Sequence, residues 1–264
     1  STGFCTERVS TCYFACPWCL LDQCSANQRA FAGVSGNHPF PDVQDSSSLL
    51  PAYIGLSLCT LAYQGYFIKY LPLLLLALII IIPAYMVWVL VLYHIAGSYA
   101  GEKAWGILKN YIPICKMALR THSSTAVEKY SQEAADKCVP LDSELIKEAI
   151  PLFTQIHHCG SVLAEVFFAM MISRILYGSV PAPGTMVIFS ILLATCSIGT
   201  PGLPWGTVMV SLGTLTGILK FGDSGLALMF AVFALNDAFA AACNATCDGA
   251  AALFLTGYVK RHDL

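Results

Sequence analysis

Asp237, Asn244 and Asp248 are the residues whose types and spacing point to chemistry. Asp237 is the lone charge in an apolar run, residues 226–242; Asn244 follows seven positions on and Asp248 four after that. At 3.6 residues per turn the three fall near one helical face. A carboxylate at bilayer depth costs several kcal/mol or more, so it faces a cavity or a partner more often than lipid. Two carboxylates and an amide on one face read as a place that holds a cation, an ammonium group, or both. The plainer alternative is a polar network buried between packed helices.

The element carrying these groups must be long and apolar, and the composition agrees. Hydrophobic residues make up 56% of the chain and charged residues 11%. An ordinary soluble domain carries about 25% charge. Mean hydropathy is +0.66 and the net charge is −2, which gives no signal for nucleic acid. Phosphate-loop, dinucleotide and zinc-protease motifs are absent, so the chain reads as a non-enzyme with no organic cofactor and no metal beyond a coupling ion.

Residues 1–49 stand apart as an atypical extension. They carry Cys5, Cys12, Cys16, Cys19 and Cys24 and few long apolar runs, and they do not form a signal peptide. Cys16-Pro17-Trp18-Cys19 has redox spacing, and the cluster has enough thiols for a metal. The βαβ context of a redox fold and a second ligand-spaced pair are both missing. An extension with little structure, or a translated region foreign to the original protein, fits better. The seven cysteines after residue 49 are scattered among apolar residues and read as reduced packing residues.

From residue 50 the chain reads as all-α and polytopic. Residues 49–66 are short for a crossing. Residues 70–101 have no charge and can span a ~30 Å hydrocarbon layer even when tilted, with Pro72 and Pro83 as possible kinks. Residues 102–148 hold 14 of the 30 charged residues and contain a polar tip, Thr121-His122-Ser123-Ser124-Thr125. Residues 149–177 are apolar again, with Glu165 and a polar centre at Gln155–His158. Residues 182–220 are charge-free until Lys220 and broken at Gly199-Thr200-Pro201-Gly202-Leu203-Pro204, so neither half spans comfortably. That break predicts a re-entrant hairpin, because irregular backbone at membrane depth must line a cavity or be buried in protein. The last span is 226–259; Lys260 and Arg261 after it place the C-terminus in the cytoplasm. Two dissimilar broken tips with buried carboxylates fit a secondary transporter better than a channel, whose filter repeats one loop around an axis.

Specific motifs then carry a family resemblance. Ser197-Ile198-Gly199-Thr200-Pro201-Gly202-Leu203-Pro204 resembles the second hairpin tip of the dicarboxylate/amino acid:cation symporter family, the glutamate transporter family. Asp237, Asn244 and Asp248 match the signature of its last helix, and Ser123-Ser124-Thr125-Ala126 resembles its serine-rich first tip. The resemblance covers residues 50–264, the family's C-terminal half. It implies scaffold remnants over 50–101, a first hairpin over 102–148, a helix over 149–177, a second hairpin over 182–220 and the last helix over 226–259. The implied assembly is a homotrimer of scaffold and mobile transport domains in the cytoplasmic membrane.

The resemblance also implies roles. Asp237 takes the substrate ammonium. Asn244 contacts the amino-carboxylate region and, by its backbone, a sodium ion. Asp248 is a sodium ligand. Carbonyls of Ser197, Ile198 and Thr200 form a second sodium site. Ser123, Ser124 and Leu203 belong to the tips that hold the substrate, and Ser161 replaces a family threonine beside it. Glu165 stands where proton-coupled members carry a protonatable glutamate. For the hydroxyl residues, bonding to their own helix backbone is the simpler role.

Three departures bear on function. The family's Asn-Met-Asp-Gly-Thr motif is His157-His158-Cys159-Gly160-Ser161 here, so a sodium-binding Asp is Cys159. The arginine that meets the side-chain carboxylate of acidic substrates is Ala240. Counterparts of the family's N-terminal helices are not found before residue 50. The expectation is cation-coupled symport, by sodium, protons or both, of an amino acid or dicarboxylate, with neutral amino acids favoured by Ala240. The alternatives are a truncated, transport-inactive remnant or partner subunit, and a channel.

Overall fold

The computed structural model describes residues 65–140, 143–198 and 206–262, together with 55, 56, 59, 62 and 63. Residues 1–49 with their cysteine cluster, and 199–204 with Thr200 and Leu203, lie outside the described residues. The chain divides into the units Ser1–Leu56 and Ser57–Leu264; the architecture below is that of the second.

Among the described residues the fold is helical throughout, without a strand. The helices are α1 (Tyr66–Ala100), α2 (Ala104–Thr121), α3 (Glu128–Cys138), α4 (Ser143–Ile156), α5 (Cys159–Tyr177), α6 (Pro183–Ser197), α7 (Gly206–Gly217) and α8 (Asp223–His262). Three stretches are long and apolar enough to cross a membrane: Lys69–Ala100, Ser143–Tyr177 and Asp223–His262. The first of them has only 28% of its most apolar window buried, against 67% for the last. Thus α1 presents an outward apolar face, including Leu76, Ile79, Met86, Val87 and Leu90, while α8 is the central element. At 1.5 Å per residue its 40 residues reach ~60 Å, well beyond one hydrocarbon layer.

The composition of α8 explains its central place. Its buried positions are rich in alanine and glycine, with Ala240, Ala241, Ala242, Ala245, Gly249, Ala250 and Ala252 in sequence. Small side chains let neighbouring helix backbones come close, which is how helices associate where water supplies no hydrophobic drive. α1, α2, α4 and α5 all pack on it. Gly249 shows the need: a Cβ there would stand 2.4 Å from the Tyr93 hydroxyl and 2.6 Å from the Tyr111 ring. Both tyrosines are essentially unexposed, and each has its hydroxyl satisfied. Tyr93 donates to the Thr246 carbonyl at 3.0 Å and Tyr111 to the Ser131 carbonyl at 3.2 Å. Tyr85 accepts from Asn236 Nδ2 at 2.7 Å, a second α1–α8 tie.

α1 runs unbroken through Pro72 and Pro83. α2 and α3 pack as a helical pair around the tip, where a 3₁₀ turn, Thr125–Val127, follows Ser123 and Ser124. α6 and α7 pack as a second pair, with Pro183 at the first position of α6, where the missing N–H costs nothing. The apolar stretch at 149–177 is not one rod: the chain leaves helical geometry at His157 and His158. Its helical part begins earlier, at Ser143, with Glu144 in the favourable first turn. At the far end of α8, Lys260 Nζ meets Glu102 Oε1 at 2.5 Å and Arg261 lies 4.2 Å over the Tyr99 ring. Tyr99 also stacks on Phe254 at 4.3 Å, so the α1–α2 turn is pinned to the basic end of α8.

Candidate substrate and cation site

The break at His157–His158 lies where α8 carries its polar residues. Asn244, 3% exposed, points at the start of α5. Its Oδ1 accepts the Gly160 N–H at 2.8 Å and the Ser161 N–H at 3.4 Å. Its Nδ2 donates to Ser161 Oγ at 3.0 Å. The first N–H groups of a helix lack partners within it, and α5 has no side-chain cap from His158. Asn244 therefore caps α5 from another helix. The approach requires glycine at 160: a Cβ there would stand 2.7 Å from Cys243 Cβ and 3.0 Å from the Ala240 carbonyl oxygen.

One turn on, Asp248 is 1% exposed and faces the end of α4. Thr154 Oγ1 lies 3.2 Å from Asp248 Oδ2 and 2.9 Å from the Ile150 carbonyl. One hydroxyl proton thus serves two acceptors. Asp248 Oδ1 has no hydrogen bond, and His157 Nδ1 stands 3.5 Å away. A buried carboxylate oxygen left in this way costs more than an ordinary hydrogen bond contributes. A small hard cation beside it would offset that cost.

Glu165, one and a half turns into α5, is fully buried. The Ser211 hydroxyl on α7 donates to its Oε1, and the same hydroxyl lies 2.9 Å from the Val208 carbonyl. Again one proton faces two acceptors. A carboxylic acid at 165 would supply the second proton, and Ser211 would then serve Val208 alone. This bond joins α5 to the second helical pair.

The remaining expected residues are placed as follows. Asp237 is 8% exposed on α8, beside the Asn236–Tyr85 tie. Ser123 Oγ accepts the Ala126 N–H at 3.3 Å and bonds Thr125 Oγ1 at 2.8 Å, which closes the first tip. Ser124 is buried, and its carbonyl accepts the Val127 N–H at 3.2 Å. Ser197 is buried at the end of α6 and donates to the Ala194 carbonyl at 2.8 Å, while Ile198 is 55% exposed. His158 is buried with neither ring nitrogen hydrogen-bonded, and α6 packs on α5. Ala240 is fully buried against α5.

Asn244, Ser161, Asp248 and His157 therefore meet in one place, and Glu165 lies deeper along α5. Thr154, Ser211, Asn236 and Tyr85 were not singled out in the sequence. Thr154 is a lone hydroxyl in an apolar stretch and Ser211 is one of four hydroxyls on α7, and their long-range partners leave no local signal.

A buried polar centre at a broken helix, in a fold that is helical throughout the described residues and has three stretches long and apolar enough to cross a membrane, fits a secondary-transporter type of membrane protein. The family model of the sodium:dicarboxylate symporter family matches residues 47–257, and the chain belongs to that family. It is a multi-pass membrane protein of a transporter family rather than an enzyme family. No curated protein matches the chain.

Proposed function

We propose that this chain is the substrate-carrying part of a cation-coupled symporter for small neutral amino acids, acting as a homotrimer in the cytoplasmic membrane. The observation that carries the reading is Asp248, a buried carboxylate with one oxygen unbonded and the other sharing a single threonine proton. A carboxylate oxygen with carbonyl and hydroxyl oxygens is a hard donor set that suits sodium. The carbonyls of Ser197, Ile198 and Thr200 would supply a second sodium site, and Asp237 the contact to the substrate ammonium. Ser123, Ser124, Ser161, Leu203 and Asn244 would hold the amino acid's carboxylate and backbone region. Glu165, held by Ser211, would carry a proton.

The preference for neutral substrates rests on Ala240. A substrate with a second carboxylate needs a fixed positive partner, and alanine supplies none on this stretch of α8. Ala240 is also fully enclosed, so an arginine at this position would have to displace α5 or α8.

Uptake of radiolabelled alanine, serine, aspartate and glutamate into proteoliposomes, with and without a sodium gradient, tests the reading. Saturable, sodium-driven uptake of a neutral amino acid is the expected result. Gradient-independent flux would identify a channel, and tight sodium-dependent aspartate binding would overturn the substrate class.

A further inference from the structure

Three cysteines meet at the α5–α8 crossing. Cys159 opens α5, while Cys243 and Cys247 sit one turn apart on α8. Their sulfur atoms all lie within 4.8 Å of one another. Cys243 and Cys247 are buried and Cys159 is partly buried. Ordinary packing does not select three thiols at one point, where alanine or serine fills a small-residue crossing equally well. The crossing is close because residue 160 is glycine, with its Cα facing Cys243 Cβ.

We propose that Cys159, Cys243 and Cys247 form a site for a thiophilic d¹⁰ metal ion, zinc(II) or copper(I), that clamps the start of α5 to the middle of α8. Zn–S bonds of ~2.3 Å at tetrahedral angles put the sulfurs ~3.8 Å apart, within reach by small side-chain rotations from the present spacing. Soft sulfur donors select such ions over sodium, so the thiol cluster and the Asp248 carboxylate prefer different ions although His157 stands between them. Two further features favour an ion. His157 lies beside Cys159, and its Nδ1, without a hydrogen bond and 3.5 Å from Asp248 Oδ1, is a nitrogen donor that a metal could draw from the carboxylate into a fourth position. The positive end of the α5 dipole faces the cluster and offsets part of the negative charge that three thiolates leave on a divalent ion. Access exists as well: a cavity of about 480 Å³ is walled by His157 and Cys247 together with Leu92, Phe153 and Phe254. The site does not depend on which substrate the chain transports.

Binding would be an exchange of protons for metal. Each thiol that becomes a ligand loses its proton to solvent, and no oxidant or reductant is consumed.

The test uses the full chain with Cys5, Cys12, Cys16, Cys19 and Cys24 replaced by serine, reduced with a phosphine in place of thiols. Cobalt(II), a spectroscopic stand-in for zinc, is titrated in, followed by zinc(II). A sulfur-to-cobalt charge-transfer band saturating at one ion per chain and bleached by one equivalent of zinc is expected. Cys247→Ala and Cys159→Ser should each weaken cobalt binding about 100-fold, whereas Cys115→Ser should leave it unchanged. Competition with a copper(I) chelator then decides between the two ions. Should the variants fail to fold, maleimide labelling read by mass spectrometry replaces them: zinc or copper(I), but not sodium, must protect these three thiols in the unsubstituted chain. A missing band, a band that survives loss of all three cysteines, or a disulfide joining Cys159 to Cys243 or Cys247 in freshly isolated protein would overturn the site.

Discussion

Asn244 of α8 accepts the Gly160 N–H of α5 at 2.8 Å, so the first turn of one helix is capped by the side chain of another. The same amide holds Ser161 Oγ at 3.0 Å. The residue expected to touch substrate is thus also the residue that fixes the start of α5. Any ligand contact made by Asn244 must share or replace these bonds, which couples binding to the α5–α8 geometry.

Asn244→Ala removes the cap and leaves the Gly160 N–H buried without a partner. The expected loss is about 1–3 kcal/mol. Asn244→Asp keeps the acceptor but loses the donor to Ser161, and it should fall between the two. Thermal unfolding of detergent-solubilised protein gives the ranking wild type, then Asp, then Ala. An alanine variant as stable as wild type would mean the cap is idle.

Gly160→Ala tests the approach itself. Its Cβ would meet Cys243 Cβ at 2.7 Å and a backbone oxygen at 3.0 Å, neither of which is the free end of a flexible side chain. Overpacking of this kind costs about 1–3 kcal/mol. Gly213→Ala is the control: nothing lies within 4 Å of its added methyl, in the middle of α7. It should stabilise by up to about 1 kcal/mol through helix propensity. Equal behaviour of the two variants would contradict the crossing described here.

These two positions also show what a sequence can carry. The charge-free lengths at 70–101 and 226–259, and the Asp237–Asn244–Asp248 spacing, are local patterns, and they marked α1 and α8 within a few residues. The caps, by contrast, are long-range. Gly160 and Asn244 are 84 positions apart, and the pairing depends on a crossing that no periodicity encodes. The cysteines are a sharper case. Cys243 and Cys247 have one-turn spacing in the sequence, yet read as packing residues until α5 brings Cys159 to them. The break at His157–His158 was visible only as a polar centre, because two polar residues in an apolar run fit a continuous buried helix equally well.

Glu165 and Ser211 predict a pH signature. In the described fold the Glu165 carboxyl is fully enclosed, and its partner hydroxyl also faces the Val208 carbonyl. If the proton on this carboxyl is carried during transport, Glu165→Gln should flatten the pH profile of net uptake while substrate exchange persists. Ser211→Ala should shift the profile without flattening it, since the carboxyl remains. An unchanged profile in the glutamine variant would reduce Glu165 to a packing residue.

Asp248 carries the sodium prediction. Its Oδ1 lacks a hydrogen bond and its Oδ2 depends on Thr154, whose proton is shared with Ile150. Asp248→Asn keeps the shape but halves the hard acceptor character of the group and adds N–H donors that repel a cation. Sodium and substrate are expected to favour the same state of the protein, so weakening one weakens the other by the same coupling free energy. The sodium concentration for half-maximal substrate binding should therefore rise about tenfold or more in the variant, a change of about 1.4 kcal/mol. Thr154→Val should give a smaller shift in the same direction, because it removes an indirect support and no ligand charge. Substrate binding titrated against sodium, with potassium holding ionic strength constant, separates this from general screening. Superimposable curves for wild type and Asp248→Asn would place the cation elsewhere. Curves that show no sodium dependence in either protein would leave proton coupling at Glu165 as the driving reaction.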